Sequence, residues 1–302
     1  RPLRALAISR TPVHLGTQAE GVGSPMNTVS ISRFTPSTMS AELLERLFVV
    51  RQPLLEALMK RVKALGRTPS PHHTLLVGPR GAGKTHLISL VYHRCKSLGK
   101  AGDGKPLRIA WLPEDPWTLV SYGRLLAAIL ERVVPDFDNQ KIAEPELDAH
   151  IRYTSREDGP ILVLAENLDQ ILDALGDVGQ QKLRNLLQTE PGILIIASTT
   201  RLDRSLSSHA APFFGFFDTI RLDPFSPEEA REMLTTLARE ANNSELAKRL
   251  SDNESLARIH TIAHLAGGQP RLWALLGSAL TVEDLRDLTT LLLNRFDDLT
   301  PY

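Results

Sequence analysis

The segment "GPRGAGKT", Gly78 to Thr85, carries the residue types a polyphosphate needs, at the spacing G-x-x-x-x-G-K-[ST]. Gly78, Gly81 and Gly83 let the backbone curl until its N–H groups face phosphate oxygens, with Pro79, Arg80 and Ala82 completing the turn. The helix expected next adds the positive end of its dipole, and His86 stands just inside it. Lys84 supplies a point charge for terminal phosphates, and the Thr85 hydroxyl suits Mg²⁺. An apolar strand, "HTLLVG", precedes the loop and a helical pattern, "THLISLVYHRCKSLGK", follows it. That strand–loop–helix context is the one in which the motif binds nucleotide.

A second stretch, "ILVLAENLDQ" from Ile161 to Gln170, is a short apolar run that ends in an acid. A magnesium–ATP site needs such an acid at the end of the strand beside its phosphate loop, and two consecutive acids are the common form. Here Glu166 is followed by Asn167, with Asp169 two residues further on. The nine His and one Cys show no zinc spacing. His260 and His264, four apart, lack the neighbouring Glu of a metalloprotease helix and read as ordinary helix residues.

The elements that must position these groups are an alternation of strands and helices. "HTLLVG", "LRIAWL", "PILVLA", "GILIIAS" and "DTIRL" read as five strands separated by helical patterns. The fold class expected is α/β, a three-layer nucleotide-binding core with a parallel five-stranded sheet, followed by a small all-helical lid. Ser40 is placed to cap a helix, and Pro53 to separate two helices at "FVVRQP". Residues 135–158 are polar and ambiguous, with room for an inserted helix. A helix from Leu168 should run to about Gln188, with breaks at Gly176 and Gly179. After Pro224 the strands stop, and Ser226, Pro227 and two acids open the first lid helix. Three or four more helices are expected over residues 244–298.

The domain reading is therefore a partly disordered extension over residues 1–40, a core over 41–224 and a lid over 225–298. Residues 299–302 read as the start of a further domain, and Met26 as an internal start. Lys+Arg and Asp+Glu balance at 35 each, so net charge gives no support for coating nucleic acid, although a local basic patch stays compatible with it. The single cysteine, Cys95, cannot form an intrachain disulfide and reads as a core residue of a cytoplasmic protein. No apolar run approaches the ~20 residues of a membrane span.

In the order of these motifs the chain resembles the AAA+ ATPases and the related STAND-type NTPases, in the origin-recognition-like branch, over about residues 41–296. "FVVRQPLL" resembles the family's "F-V-G-R-E" segment, with Val50 in place of the glycine and Gln52 in place of the Glu. The resemblance implies that backbone near Val49 and Val50 holds adenine, while Arg51 reads either as part of that pocket or as a solvated charge at a helix end. "ILIIASTT" resembles the strand of sensor 1, with Thr200 the best match and Thr199 next. "GGQPR", Gly267 to Arg271, resembles the opening of the sensor 2 helix, which implies that Arg271 reads the γ-phosphate. Arg201 and Arg204 are the nearest candidates for an arginine finger. For the strand-end acids two registers are open. In the first, Glu166 holds the metal, Asn167 replaces the water-activating Glu and Asp169 is a second acid. In the other, Ala165 stands at the metal position and Glu166 is catalytic. The first keeps a metal acid and is the reading adopted here.

The cofactors implied are ATP and Mg²⁺. The expected activity is weak hydrolysis of ATP to ADP and phosphate, with the nucleotide state setting the lid angle and so controlling self-association or a protein partner. The alternative is a module that holds nucleotide as a scaffold, or for loading onto DNA, with little turnover.

Overall fold

The structure is a computed structural model that describes residues 36, 39–112, 118–138, 142–288 and 290. The five expected strands are β1 (Thr74–Val77), β2 (Arg108–Trp111), β3 (Ile161–Ala165), β4 (Ile193–Thr199) and β5 (Asp218–Arg221). They form one parallel sheet in the order β2-β3-β4-β1-β5. The three inner strands are buried along their whole length, which is why Leu75–Val77, Ile161–Ala165 and Ile193–Ala197 read as apolar runs. β5, at an edge, is mostly exposed and reads Asp-Thr-Ile-Arg.

Alternate residues of these strands serve opposite layers. Leu75, Val77, Ile161, Val163, Ile193 and Ile195 pack with α4 (Tyr122–Val133), α5 (Glu144–Tyr153) and α6 (Leu168–Thr189). Leu76, Leu162, Leu164, Leu194 and Ile196 pack with α1 (Ala41–Leu47), α2 (Gln52–Ala64) and α3 (Lys84–Leu98). Cys95 lies buried in the second layer, and burial pushes its thiol up to about 12. The register sets Val77 beside Thr199 and Ala165 beside Ala197, so Gly78, Glu166 and Thr200 all leave the sheet along one edge. Ligands of parallel sheets bind outside this carboxyl edge.

Local chemistry explains most helix ends. Ser40 accepts from the Leu43 N–H at the start of α1, and Pro53 sits in the first turn of α2, where its missing N–H costs nothing. The ambiguous stretch before β3 contains α5 and a π-helical turn, Thr154–Asp158. That turn presents Arg156, together with Arg152, to the fully buried Glu190. Gly176 breaks helical geometry inside α6, at φ 59 and ψ 177. Gly179 does not, contrary to expectation: it is buried in the continuing helix, where an added Cβ would stand 3.0 Å from that of Leu175. A glycine tolerated for packing carries the same sequence signal as one that ends a helix.

After the short α7 (Arg204–Ser207) and β5, the chain beyond Pro224 forms α8 (Pro227–Glu240), α9 (Ser244–Leu250), α10 (Asn253–Ala266) and α11 (Pro270–Ala279), then a 3-10 turn, Asp284–Arg286. Ser226 and Glu229 complete a reciprocal capping box on α8. These helices have their own apolar centre, in which Trp273 is wholly buried among Leu234, Leu250, Ile259 and Leu276. The readings of residues 1–35 and 291–302, including Met26 and the 299–302 boundary, lie outside the described residues.

At the opposite, amino edge of the sheet, His73 is buried, takes the Ile195 N–H on Nδ1 at 3.2 Å, and stacks on Phe216 with ring centres 5.0 Å apart. Burial pushes its pKa down to about 4. The folded protein thus binds the proton less readily than the unfolded chain, whose His titrates near ~6.5. The stability this gives is complete above that pH and is lost as pH falls towards 4, amounting to ~3 kcal/mol. Thermal melts should show a loss between pH 6.5 and pH 4 that shrinks in His73→Gln. An equal pH dependence in both proteins would exclude His73 as its source.

Candidate nucleotide-binding site

β1 delivers the chain to Gly78, whose N–H donates to the Thr199 carbonyl at 3.3 Å. Gly81 and Gly83 then adopt φ of 80° and 87°, a left-handed backbone that glycine takes without steric penalty. α3 starts at Lys84, so the N–H groups of its first turn have no partner within the helix and point towards the loop. The Lys84 ammonium donates to the carbonyls of Gly78 at 2.6 Å and Pro79 at 2.9 Å. Burial lowers its pKa, opposed by the nearby carboxylates of Glu166 and Asp169.

The Thr85 hydroxyl donates to the carboxylate of Glu166, itself only 7% exposed. The strand-end acid and the loop hydroxyl therefore meet at one point. Two protein oxygens suit Mg²⁺, which completes its shell with phosphate oxygens and waters.

A cavity of about 440 Å³ opens at this point, within the range of roughly 300–1,000 Å³ that small-molecule sites occupy. Arg80, Gly81, Gly83, Lys84, Thr85 and His86 line it from the loop and α3. Glu166 and Thr200 line it from the strand ends, and Arg271 from the lid. Val49 and Val50 line a smaller apolar recess of about 50 Å³ that shares Gly83, His86 and Pro270 with the main cavity. His86 bonds the Leu44 carbonyl through Nε2 at 2.9 Å, and burial lowers its pKa. Gly78, Pro79 and Ala82 shape the loop without lining the cavity.

Other candidates stand apart. Asp169, in the first turn of α6, does not line the cavity, and its Oδ1 is buried without a hydrogen-bond partner. Its charge, with that of Asp173, adds to burial in raising the pKa of Asp203. The Thr199 hydroxyl is committed to the Arg201 carbonyl at 2.8 Å, whereas Thr200 faces the cavity. Arg201 and Arg204 are exposed and away from the cavity wall. Sequence reasoning did not pick out Ser198, two residues before Thr200, or the lid residues Met233, Leu237 and Ala274, all of which line the cavity; Asn167, in left-handed geometry at φ 51, lines it too.

The lid touches the loop directly. Gly267 and Gly268, at φ of 72° and 67°, turn the chain from α10 into α11, and the Phe225 N–H donates to the Gly268 carbonyl at 2.8 Å. The Arg271 N–H donates to the Gly81 carbonyl at 3.1 Å. A Cβ on Gly81 would lie 2.9 Å from that of Arg271, so this contact requires a glycine. Arg51, at the start of α2, donates to the carbonyls of Ala82 in the loop and Asp223 at the core–lid junction.

A parallel sheet in this order, a glycine loop between β1 and α3, and a helical unit over the carboxyl edge give the chain the P-loop NTPase fold found in AAA+ ATPases. Solved structures with this fold to which the chain is similar include origin-recognition proteins. The structure of Drosophila ORC bound to DNA aligns with a TM-score of 0.54 and 16% identity, over 86% of this chain and 69% of that one. The Aeropyrum pernix ORC1 protein in complex with DNA aligns at 0.51 and 16%, over 80% and 63%. Aeropyrum pernix ORC2, in ADPNP–ADP complexes, aligns at 0.50 and 14%, over 65% and 52%. The chain thus spans less than two-thirds of the length of the Aeropyrum proteins it matches, 52% of one and 63% of the other. No family model matches the sequence, and no curated protein matches it.

Proposed function

We propose that the chain is an AAA+-like ATPase whose ATP or ADP state sets the angle of its helical lid, and through it self-association or the action of a partner domain. The observation that carries this reading is the meeting of Lys84, Thr85, Glu166 and Arg271, from loop, strand and lid, around one cavity. In this proposal residues 41–224 are the core and 225–298 the lid.

In this reading the loop N–H groups and the start of α3 bind the phosphates. Lys84 exchanges the carbonyls of Gly78 and Pro79 for phosphate oxygens, a stronger, charge-assisted partner. Thr85 and Glu166 hold Mg²⁺, which neutralises phosphate charge when bound. Val49 and Val50 border the base. Thr200 orients the water or the γ-phosphate, and Asp169 polarises the water. Water adds to the γ-phosphorus and the bond to the ADP oxygen breaks, giving ADP and phosphate. With Asn167 where a general base would stand, hydrolysis by the chain alone is slow. Among the described residues no helix is long and apolar enough to cross a membrane, and the cytoplasm is the proposed location.

Arg271→Ala tests the lid's part. If its guanidinium meets the γ-phosphate, affinity for ATP, or ATP-dependent assembly, should fall about ten- to a hundred-fold while ADP binding is spared. Equal losses for both nucleotides would show that Arg271 does not distinguish them. Phosphate release then separates an ATPase from a module that only holds nucleotide for scaffolding or DNA loading, a role for which the DNA-bound structures are the motive.

A further inference from the structure

Arg51 is half-buried, yet its side chain offers no cap to its own helix α2. It reaches instead across to two segments far away in sequence. One nitrogen donates to the Ala82 carbonyl in the phosphate loop, and another to the Asp223 carbonyl where β5 runs into the lid. The guanidinium also lies over the Phe225 ring, 5.1 Å from its centre, and is faced by the carboxylates of Asp223 and Glu229. Phe225 in turn is held to the lid through Gly268.

The Ala82 carbonyl shares a peptide plane with the Gly83 N–H, and across a trans peptide the two point in opposite directions. A cation bonded to that carbonyl therefore aims the Gly83 N–H away from itself. A Cβ built on Gly83 would lie 3.3 Å from the same Arg51 nitrogen, so the guanidinium abuts this peptide. Gly83 is the residue least able to hold an orientation unaided, because its left-handed φ and missing side chain leave the plane free to turn.

We infer that Arg51 is a positioning residue of the phosphate cradle: it clamps the Ala82–Gly83 peptide so that the Gly83 N–H faces the phosphates, and ties that orientation to the lid junction at Asp223 and Phe225. The inference rests on the nucleotide-site reading. It assigns Arg51 to the phosphates although the residue also lines, with Phe225, the recess of Val49 and Val50 to which the resemblance points for adenine. Lysine cannot do the same, since one ammonium on a flexible stem lacks the planar fork that spans two carbonyls and stacks on a ring.

The test compares wild type, Arg51→Ala and Arg51→Lys in binding ATP, ADP, adenosine and inorganic tripolyphosphate, with melting temperatures measured without ligand. One aimed N–H to a charged group predicts a loss of about ten- to a hundred-fold for ATP, ADP and tripolyphosphate. Adenosine binding should fall far less than that, and Arg51→Lys should recover only a minor part of the loss. In amide NMR spectra, tripolyphosphate should shift the Gly83 N–H of wild type but not that of Arg51→Lys. Adenosine weakened in the same ratio as ADP would make Arg51 an adenine-pocket residue and overturn the inference, as would unchanged phosphate binding in both variants. Should Arg51→Ala not fold, Arg51→Lys and the Gly83 shift decide. Wild type that binds neither ATP nor ADP would remove the nucleotide reading itself, whereas nucleotide binding that is indifferent to Arg51 removes this inference alone.

Discussion

Lys84→Ala is expected to abolish measurable nucleotide binding in a protein that still folds. The ammonium belongs to none of the three apolar cores, and its partners are two loop carbonyls, one of them on the exposed Pro79. Removing it takes a donor from two carbonyls, so the melting temperature should fall modestly while the protein stays folded. The effect on ligand is of another size. A buried cation that meets two phosphates makes more than one charge-assisted contact, each worth about ten- to a hundred-fold, so a loss beyond a hundred-fold is predicted. Unchanged affinity in a folded Lys84→Ala protein would reject the site.

Turnover separates the two acids near the loop. Glu166 accepts from Thr85 and lines the cavity, which supports its reading as the metal acid. Glu166→Gln should then impair Mg²⁺-dependent binding and hydrolysis together. Asp169→Asn should leave binding intact and remove most of the remaining hydrolysis, within the ~10²–10⁴-fold that a positioned base contributes. Asp169 does not line the cavity, so it would act through an intervening water. The opposite pattern, with Glu166→Gln holding ATP tightly and Asp169→Asn silent, would make Glu166 the catalytic acid and shift the register by one residue.

The sheet was legible because strands buried on both faces are mostly apolar, and "ILVLA" of β3 and "ILIIA" of β4 are unbroken apolar runs. The loop was legible because its chemistry is local: glycine conformations and a lysine, fixed within eight residues of Gly78. Contacts made across the fold were not. Nothing near Arg51 in sequence announces that Ala82 and Asp223 will lie within its reach, and the sequence alone left it between pocket and solvent. Gly81 is required both by its φ and by the approach of Arg271, but only the first requirement follows from the motif. Gly179 shows the same limit in reverse, since a helix tolerates a glycine where Leu175 needs the space.

The central claim is that loop, strand end and lid form one site for a nucleoside triphosphate and its magnesium. Calorimetric titration of the wild-type chain with ATP and with ADP, each with and without Mg²⁺, tests it most directly. The prediction is saturable binding of both at one site per chain, with Mg²⁺ strengthening ATP more than ADP. No saturable binding of either nucleotide, or affinities indifferent to Mg²⁺, would contradict it.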